Sequence, residues 1–160
     1  MFYIVLMHIF EKNIKDLDLI IPNIAVPIAN YVPYKICDKI LHISGQTPIK
    51  EGSFIYKGKV GEDITEEEGV KAAELCCINI IAALKSAINN DWDQLDEFIK
   101  LSGFVNCNDN FTNHPQIING ASNLLVKIFG EKGKHTRYAV GSNSLPMNVS
   151  VEIAAVIRLQ

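Results

Sequence analysis

Positive charge is not in excess in this 160-residue chain: 15 Lys and Arg stand against 18 Asp and Glu, a formal net charge of −3 at pH 7. Tracking along a nucleic acid needs clustered Lys and Arg to neutralise phosphates, so nucleic acid is not an expected partner. Long apolar runs are missing too. The amino-terminal stretch MFYIVLM holds seven residues before His8, against the ~20 that a membrane-spanning helix needs. It has neither the basic n-region nor the small-residue cleavage site of a secretory signal. No membrane association is expected, the expected compartment is the cytoplasm, and two readings of Met1 to Leu6 stand: Met7 is the true start, or these residues form a short arm. Cysteine is scarce, with four residues at Cys37, Cys76, Cys77 and Cys107. Cys76 and Cys77 are adjacent within a helical stretch and form no CxxC pair. No Cys/His spacing matches a zinc site, so neither a metal nor a disulfide is expected, and buried reduced thiols are the default. Internal repeats and low-complexity tracts are also absent.

What is present is the composition of one globular domain, 48% apolar and 21% charged. Residues 8–19 place Ile9, Phe10, Ile14 and Leu17 on one helical face. Residues 21–28, with two prolines, read as an extended linker. Runs at 29–36 and 39–45 around Cys37-Asp38-Lys39 read as an antiparallel hairpin that Gly45 ends, and the second run alternates as a half-buried strand does. The glycine-rich stretch 47–64 reads as a loop with one short strand at 54–56. Thr65-Glu66-Glu67-Glu68 is a capping box, and Val70, Ala73, Cys77, Ile80, Ile81, Leu84 and Ile88 continue from it as a long apolar helical stripe. A strand over 97–107 follows, then a helix opened by Pro115 and closed by Gly130, then strands at 135–141 and 149–158. The order predicts an α+β two-layer sandwich: a mixed sheet with two main helices on one face, preceded by a short amino-terminal helix. Ile99, Leu101, Val140, Val151 and Ile153 are read as apolar surface on the other face, enough for self-association.

An ordered set of residues then resembles a known family. Tyr31, Ser44-Gly45-Gln46, Gly103-Phe104-Val105, Asn119-Gly120-Ala121, Thr136-Arg137, and Glu152 within Val151-Glu152-Ile153 resemble the Rid/YjgF family over residues 29–158. The division this implies is an arm and short helix over 1–28 and a YjgF/Rid-like domain over 29–160. The resemblance implies a chorismate-mutase-like fold, a homotrimer packed through its sheets, and three equivalent clefts between subunits. It implies hydrolysis of reactive enamines or imines of the 2-aminoacrylate type to a 2-keto acid and ammonia, with no metal and no organic cofactor. Two other readings stand beside it: a trimer that binds small carboxylates without turning them over, and the ribonuclease label carried by some members.

Residue chemistry bears on the same positions. A planar guanidinium offers a carboxylate two parallel donors, so Arg137 is the expected clamp for a small carboxylate substrate. A carboxylate within reach of water accepts its proton, which makes Glu152 the candidate base. Gly45, lacking Cβ, lets a ligand approach the backbone, while Tyr31, Ser44, Asn119 and Tyr138 are the other candidate substrate-binding residues. Tyr138 stands where the family commonly has a small residue, and Ala139 where many deaminating members carry cysteine. The loop before Asn119 is about four residues longer than the family's, and the amino-terminal helix is extra. His42, His114 and His135 show no triad or metal spacing and are read as structural, with His135 close to Arg137 in sequence. Cys107 is read as having no base beside it.

Overall fold

In the computed structural model, which describes residues 7–24 and 30–160, the first helix, α1, runs over Ile9–Asp16. Its apolar side is not left outside the domain. Phe10 meets the rings of Trp92 and Phe129 edge-on at 6.2 and 5.0 Å, and Asn13 Nδ2 donates to the Ile128 carbonyl at 2.7 Å. Part of the expected linker, residues 25–28, lies outside the described residues.

The strands are β1 (Tyr34–Cys37), β2 (Ile40–Gln46), β3 (Ile49–Lys50), β4 (Ser53–Phe54), β5 (Leu95–Asn106), β6 (Thr136–Ser142) and β7 (Val151–Leu159). Five of them form one sheet in the order β1-β2-β7-β5-β6, and β3 and β4 form a separate small hairpin. Only β5 and β6 run parallel; the other neighbours are antiparallel. The expected mixed sheet is what forms. The β1–β2 turn holds two residues, Asp38 and Lys39, both at positive φ, the conformation whose twist matches that of the strands it joins.

Two helices, α2 (Glu66–Ala87) and α3 (His114–Phe129), cover one face. The start of α2 is fixed reciprocally: Glu68 N–H donates to Thr65 Oγ1 at 3.1 Å, and Thr65 N–H donates to Glu68 Oε2 at 2.8 Å. Leu41, Leu101, Val105, Val151, Ile153 and Ile157 from the sheet, Ile80, Ile81 and Leu84 from α2, and Ile117, Ile118 and Leu125 from α3 are all fully buried. Each such side chain contributes roughly 1.5–3 kcal/mol of transfer free energy. Gly120 sets how closely the helices approach, because a Cβ there would lie 2.3 Å from the Val70 carbonyl oxygen.

The outward face differs from the expectation. Leu101, Val151 and Ile153 belong to the buried core, not to a free surface. In β5 a bulge against β7 between Phe98 and Lys100 reverses the side-chain parity, so that Phe98 and Leu101, three apart, both point inward. Val140 does lie on the uncovered face, as expected, together with Phe104, Ala154, Val156 and Tyr138. Cys76 and Cys77 are both fully buried, since α2 packs on the sheet with one side and on α3 with another, and burial pushes both thiols far up. Cys37 departs from the expectation and is exposed at the hairpin turn. No described helix is long and apolar enough to cross a membrane.

Alanine normally gains about 1 kcal/mol over glycine inside a helix. At Gly120 that gain is outweighed, and Gly120→Ala is expected to destabilise the fold by about 1–3 kcal/mol as α2 and α3 are forced apart. Urea unfolding midpoints check this, and a variant as stable as the parent would refute the packing account.

Candidate functional site

On the edge strand β6, Arg137 is paired with the buried Leu101, and paired residues share a face of the sheet. Its side chain therefore points toward α3. Nη1 donates to Ser122 Oγ at 2.8 Å, and Nη2 donates to the Pro115 carbonyl at 3.3 Å. Both acceptors are neutral. No carboxylate lies within ion-pair distance among the described residues, so most of the guanidinium's five N–H donors are uncommitted. The group opens on a shallow groove of about 400 Å³ lined by Asn119, Ser122, Asn123, Lys134 and His135. Asn119 donates to Gln116 Oε1 at 3.3 Å and retains its own carbonyl. Ser122 continues the network: its Oγ lies 3.0 Å from His135 Nε2, and His135 Nδ1 lies 2.7 Å from the Gly133 carbonyl. Burial lowers the pKa of His135, helped by the Arg137 charge.

A second group of candidate residues gathers elsewhere. Glu152, on the central strand β7, is paired with Phe104 and faces away from the helices. It is half-buried on a largely apolar face, and that burial raises its carboxyl pKa. Its carboxylate lies over Gly45, where a Cβ would come within 2.0 Å of Oε1. The approach is made by a bulge: three steps along β2, from Ile43 to Gln46, match two along β7, from Ala155 to Ile153. Gly45 thus does not end the strand, as its composition implies, but bends it. Beside it, Ser44 Oγ donates to the Val32 carbonyl at 2.8 Å and Ser44 N–H donates to the Pro33 carbonyl. Those two bonds tie down the short segment carrying Tyr31, which is 58% exposed.

Tyr138 belongs to neither group. As the strand neighbour of Arg137 it points to the opposite face, edge-on to Phe104 at 5.8 Å, with Lys100 Nζ 4.9 Å from its ring centre. In one chain, then, Arg137 with Asn119 and Glu152 with Ser44, Gly45 and Tyr31 stand apart. They are on opposite sides of the sheet, and β6 is three strand spacings from β2, roughly 14 Å.

The sequence reading missed two things. Ser122 lies three residues after Asn119, hence on the same helical face, a spacing that marks it once Asn119 is suspected. Cys107 does have a base beside it: His114 Nε2 lies 3.4 Å from its Sγ. Six residues of loop and the first turn of α3 bring the pair together, and sequence distance conceals this. Burial raises the Cys107 pKa, so the thiol form prevails.

A mixed sheet with α2 and α3 on one face, a loose guanidinium at its edge and a carboxyl over a glycine bulge define a small α+β protein of the chorismate-mutase-like class. The family described as "YjgF/chorismate_mutase-like, putative endoribonuclease" matches residues 11–157, and the chain belongs to it. A crystal structure from Agrobacterium tumefaciens, of a protein with unknown function, is 41% identical and superposes with a TM-score of 0.90, covering 95% of this chain and 93% of that one. A Shewanella oneidensis structure given an endoribonuclease description is 33% identical, with the same TM-score, over 95% of this chain and all of that one. Protein TCP17 of Trypanosoma cruzi is 36% identical over 148 residues, 92% of each chain.

Because the folded-state pKa of Glu152 lies above its unfolded value, folding favours the protonated form. That stability is fully present below the unfolded value and is lost as pH rises through the folded one. Glu152→Gln is therefore expected to raise Tm near neutral pH, with the gain disappearing below about pH 4. Thermal unfolding at several pH values checks this; an equal gain at every pH would remove the desolvation account.

Proposed function

We propose that the protein hydrolyses reactive enamines and imines of the 2-aminoacrylate type, without metal or organic cofactor, at clefts that two copies of the chain complete. The observation that carries this reading is the unpaired Arg137 guanidinium, held by neutral acceptors and open to a groove. A charged group kept free of carboxylates at a surface groove is suited to an anionic ligand. The separation of Arg137 from Glu152 supports the second copy: one protomer supplies Arg137 and Asn119, and its neighbour supplies Glu152, Gly45, Ser44 and Tyr31. The apolar, uncovered sheet face around Phe104, Val140 and Val156 supports association through that face, in the homotrimer that the Rid/YjgF resemblance implies.

The chemistry follows from the roles. The enamine becomes the imine by moving a proton to carbon. Arg137 holds the carboxylate and fixes the C=N bond relative to a water molecule. Water adds to the imine carbon and gives a proton to Glu152, which passes it to the imine nitrogen. Glu152 then takes the carbinolamine hydroxyl proton and delivers it to the amine as the C=O bond forms and the C–N bond breaks, so that ammonia and the 2-keto acid leave and the carboxylate is restored. A carboxyl pKa raised by burial makes Glu152 a better base near neutrality than an ordinary glutamate.

Ammonia release from freshly generated 2-aminoacrylate tests the activity, and Arg137→Ala is expected to abolish it. Stabilisation by 2-oxobutyrate with no turnover would leave a binding protein in place of the enzyme. A mixing experiment tests the shared cleft. Arg137→Ala and Glu152→Gln chains, each inactive alone, are expected on co-refolding to regain about a quarter of the parent activity, because random neighbours restore one intact site in four. No recovery from assembled mixtures would place both residues in one protomer's site.

A further inference from the structure

Beside Arg137 lies a chain of hydrogen bonds that has one consistent direction while the His135 ring is neutral. The Gly133 carbonyl can only accept, so the His135 Nδ1 that lies 2.7 Å from it carries the proton. In the neutral ring Nε2 is then an acceptor, and the Ser122 hydroxyl donates to it at 3.0 Å. The Ser122 oxygen is left to accept from Arg137 Nη1 at 2.8 Å. Guanidinium, hydroxyl, imidazole and carbonyl are thus joined in one sense, and each member fixes the next.

We propose that Ser122 and His135 are positioning residues for the Arg137 anion site and that they couple anion binding there to the uptake of one proton by His135. This rests on the reading of the groove as a carboxylate site and adds its regulation. Protonation at Nε2 reverses the Ser122 bond. Nε2 becomes a donor, the serine oxygen accepts from both histidine and arginine, and the hydroxyl hydrogen turns to the groove. The site gains a positive charge and a donor in the same event.

The surroundings leave His135 responsive to whatever occupies the groove. The charges facing it are Arg137 on β6 and Lys134 in the preceding turn, the latter paired with Glu131 at 2.8 Å. From α3 come only the neutral Asn119, Ser122 and Asn123. Lys132 is turned away to the Leu95 carbonyl, and Lys100 of β5 lies over Tyr138 on the other side of the sheet. With the groove free, burial and the arginine hold the ring neutral near pH 7. An anion that neutralises the guanidinium removes part of that opposition and raises the imidazole pKa. Affinity therefore climbs as pH falls from the pKa of the complex to that of the free protein and is level outside that window.

Calorimetry with 2-oxobutyrate between pH 5 and 8, together with nitrogen NMR of His135, tests the coupling. The expected result is an Nδ1–H ring whose pKa rises when 2-oxobutyrate binds. Affinity should be about tenfold tighter at the acid end for each pH unit of that rise. His135→Gln is expected to bind independently of pH, near the parent's weakest affinity, and Ser122→Ala to weaken binding while leaving a titrating ring that the ligand shifts less. Tight binding by the parent with no pH dependence, or an Nε2–H ring, would overturn the coupling and leave the carboxylate site standing. Failure of the folded parent to bind 2-oxobutyrate at any pH would overturn the site itself, and the coupling with it.

Discussion

Successive side chains along a strand point to opposite faces of a sheet, and in β6 that rule separates two neighbours with very different surroundings. Arg137 turns to α3 and its groove, while Tyr138 turns to the uncovered side and packs on Phe104. In β7 the same rule sends Val151 and Ile153 into the core and leaves Glu152 between them on the far face. An arginine and a glutamate fifteen residues apart in sequence are thereby kept from pairing inside the protomer. Strand order adds to the separation: β5 lies between β6 and β7, and Arg137 stands at the level of Ala155, three residues along β7 from Glu152.

Much of this fold is legible locally. The Thr65–Glu68 box, the apolar stripe of α2, Gly130 at the end of α3 and the alternation of β2 each depend on residues within one or two turns of chain, and each is found where its pattern lies. Leu101 is assigned to the outward face because bulges are set by the partner strand, whereas Val151 and Ile153 alternate regularly and only the face that the helices cover decides their side. Nothing in Phe98-Ile99-Lys100 announces that β7 will take two of its residues against three, yet that one step moves Leu101 from surface to core. The bulge at Ser44-Gly45 is hidden for the same reason, and with it the carboxylate that fills the space a Cβ would need.

The candidate site divides in the same way. Arg137, Asn119, Glu152, Ser44 and Gly45 are legible as a family pattern, but their grouping is not, since it depends on strand order and face. The Ser122–His135 bond and the Cys107–His114 contact join residues from different elements. Their chemistry is invisible until α3 is laid against β5 and β6. Similar distances carry different meanings here: Cys107 beside His114 is buried with its thiol protonated, whereas Ser122 beside His135 lies in a groove with a cation attached.

Burial acts on the two titratable groups in opposite senses, with a shared consequence. It raises the carboxyl of Glu152 and lowers the imidazole of His135, in both cases penalising the charged form. The carboxyl is moved up toward neutral pH, and the imidazole is moved further below it, so both favour the uncharged form. Arg137 alone keeps its charge, because a guanidinium is not deprotonated in proteins. In the shared cleft proposed above, these three supply one fixed positive charge and two groups whose charge follows their occupant. On that proposal an arriving carboxylate changes the field at both, and the answer is a movement of protons rather than of backbone. That response needs no hinge, which suits groups carried on paired strands and an anchored helix.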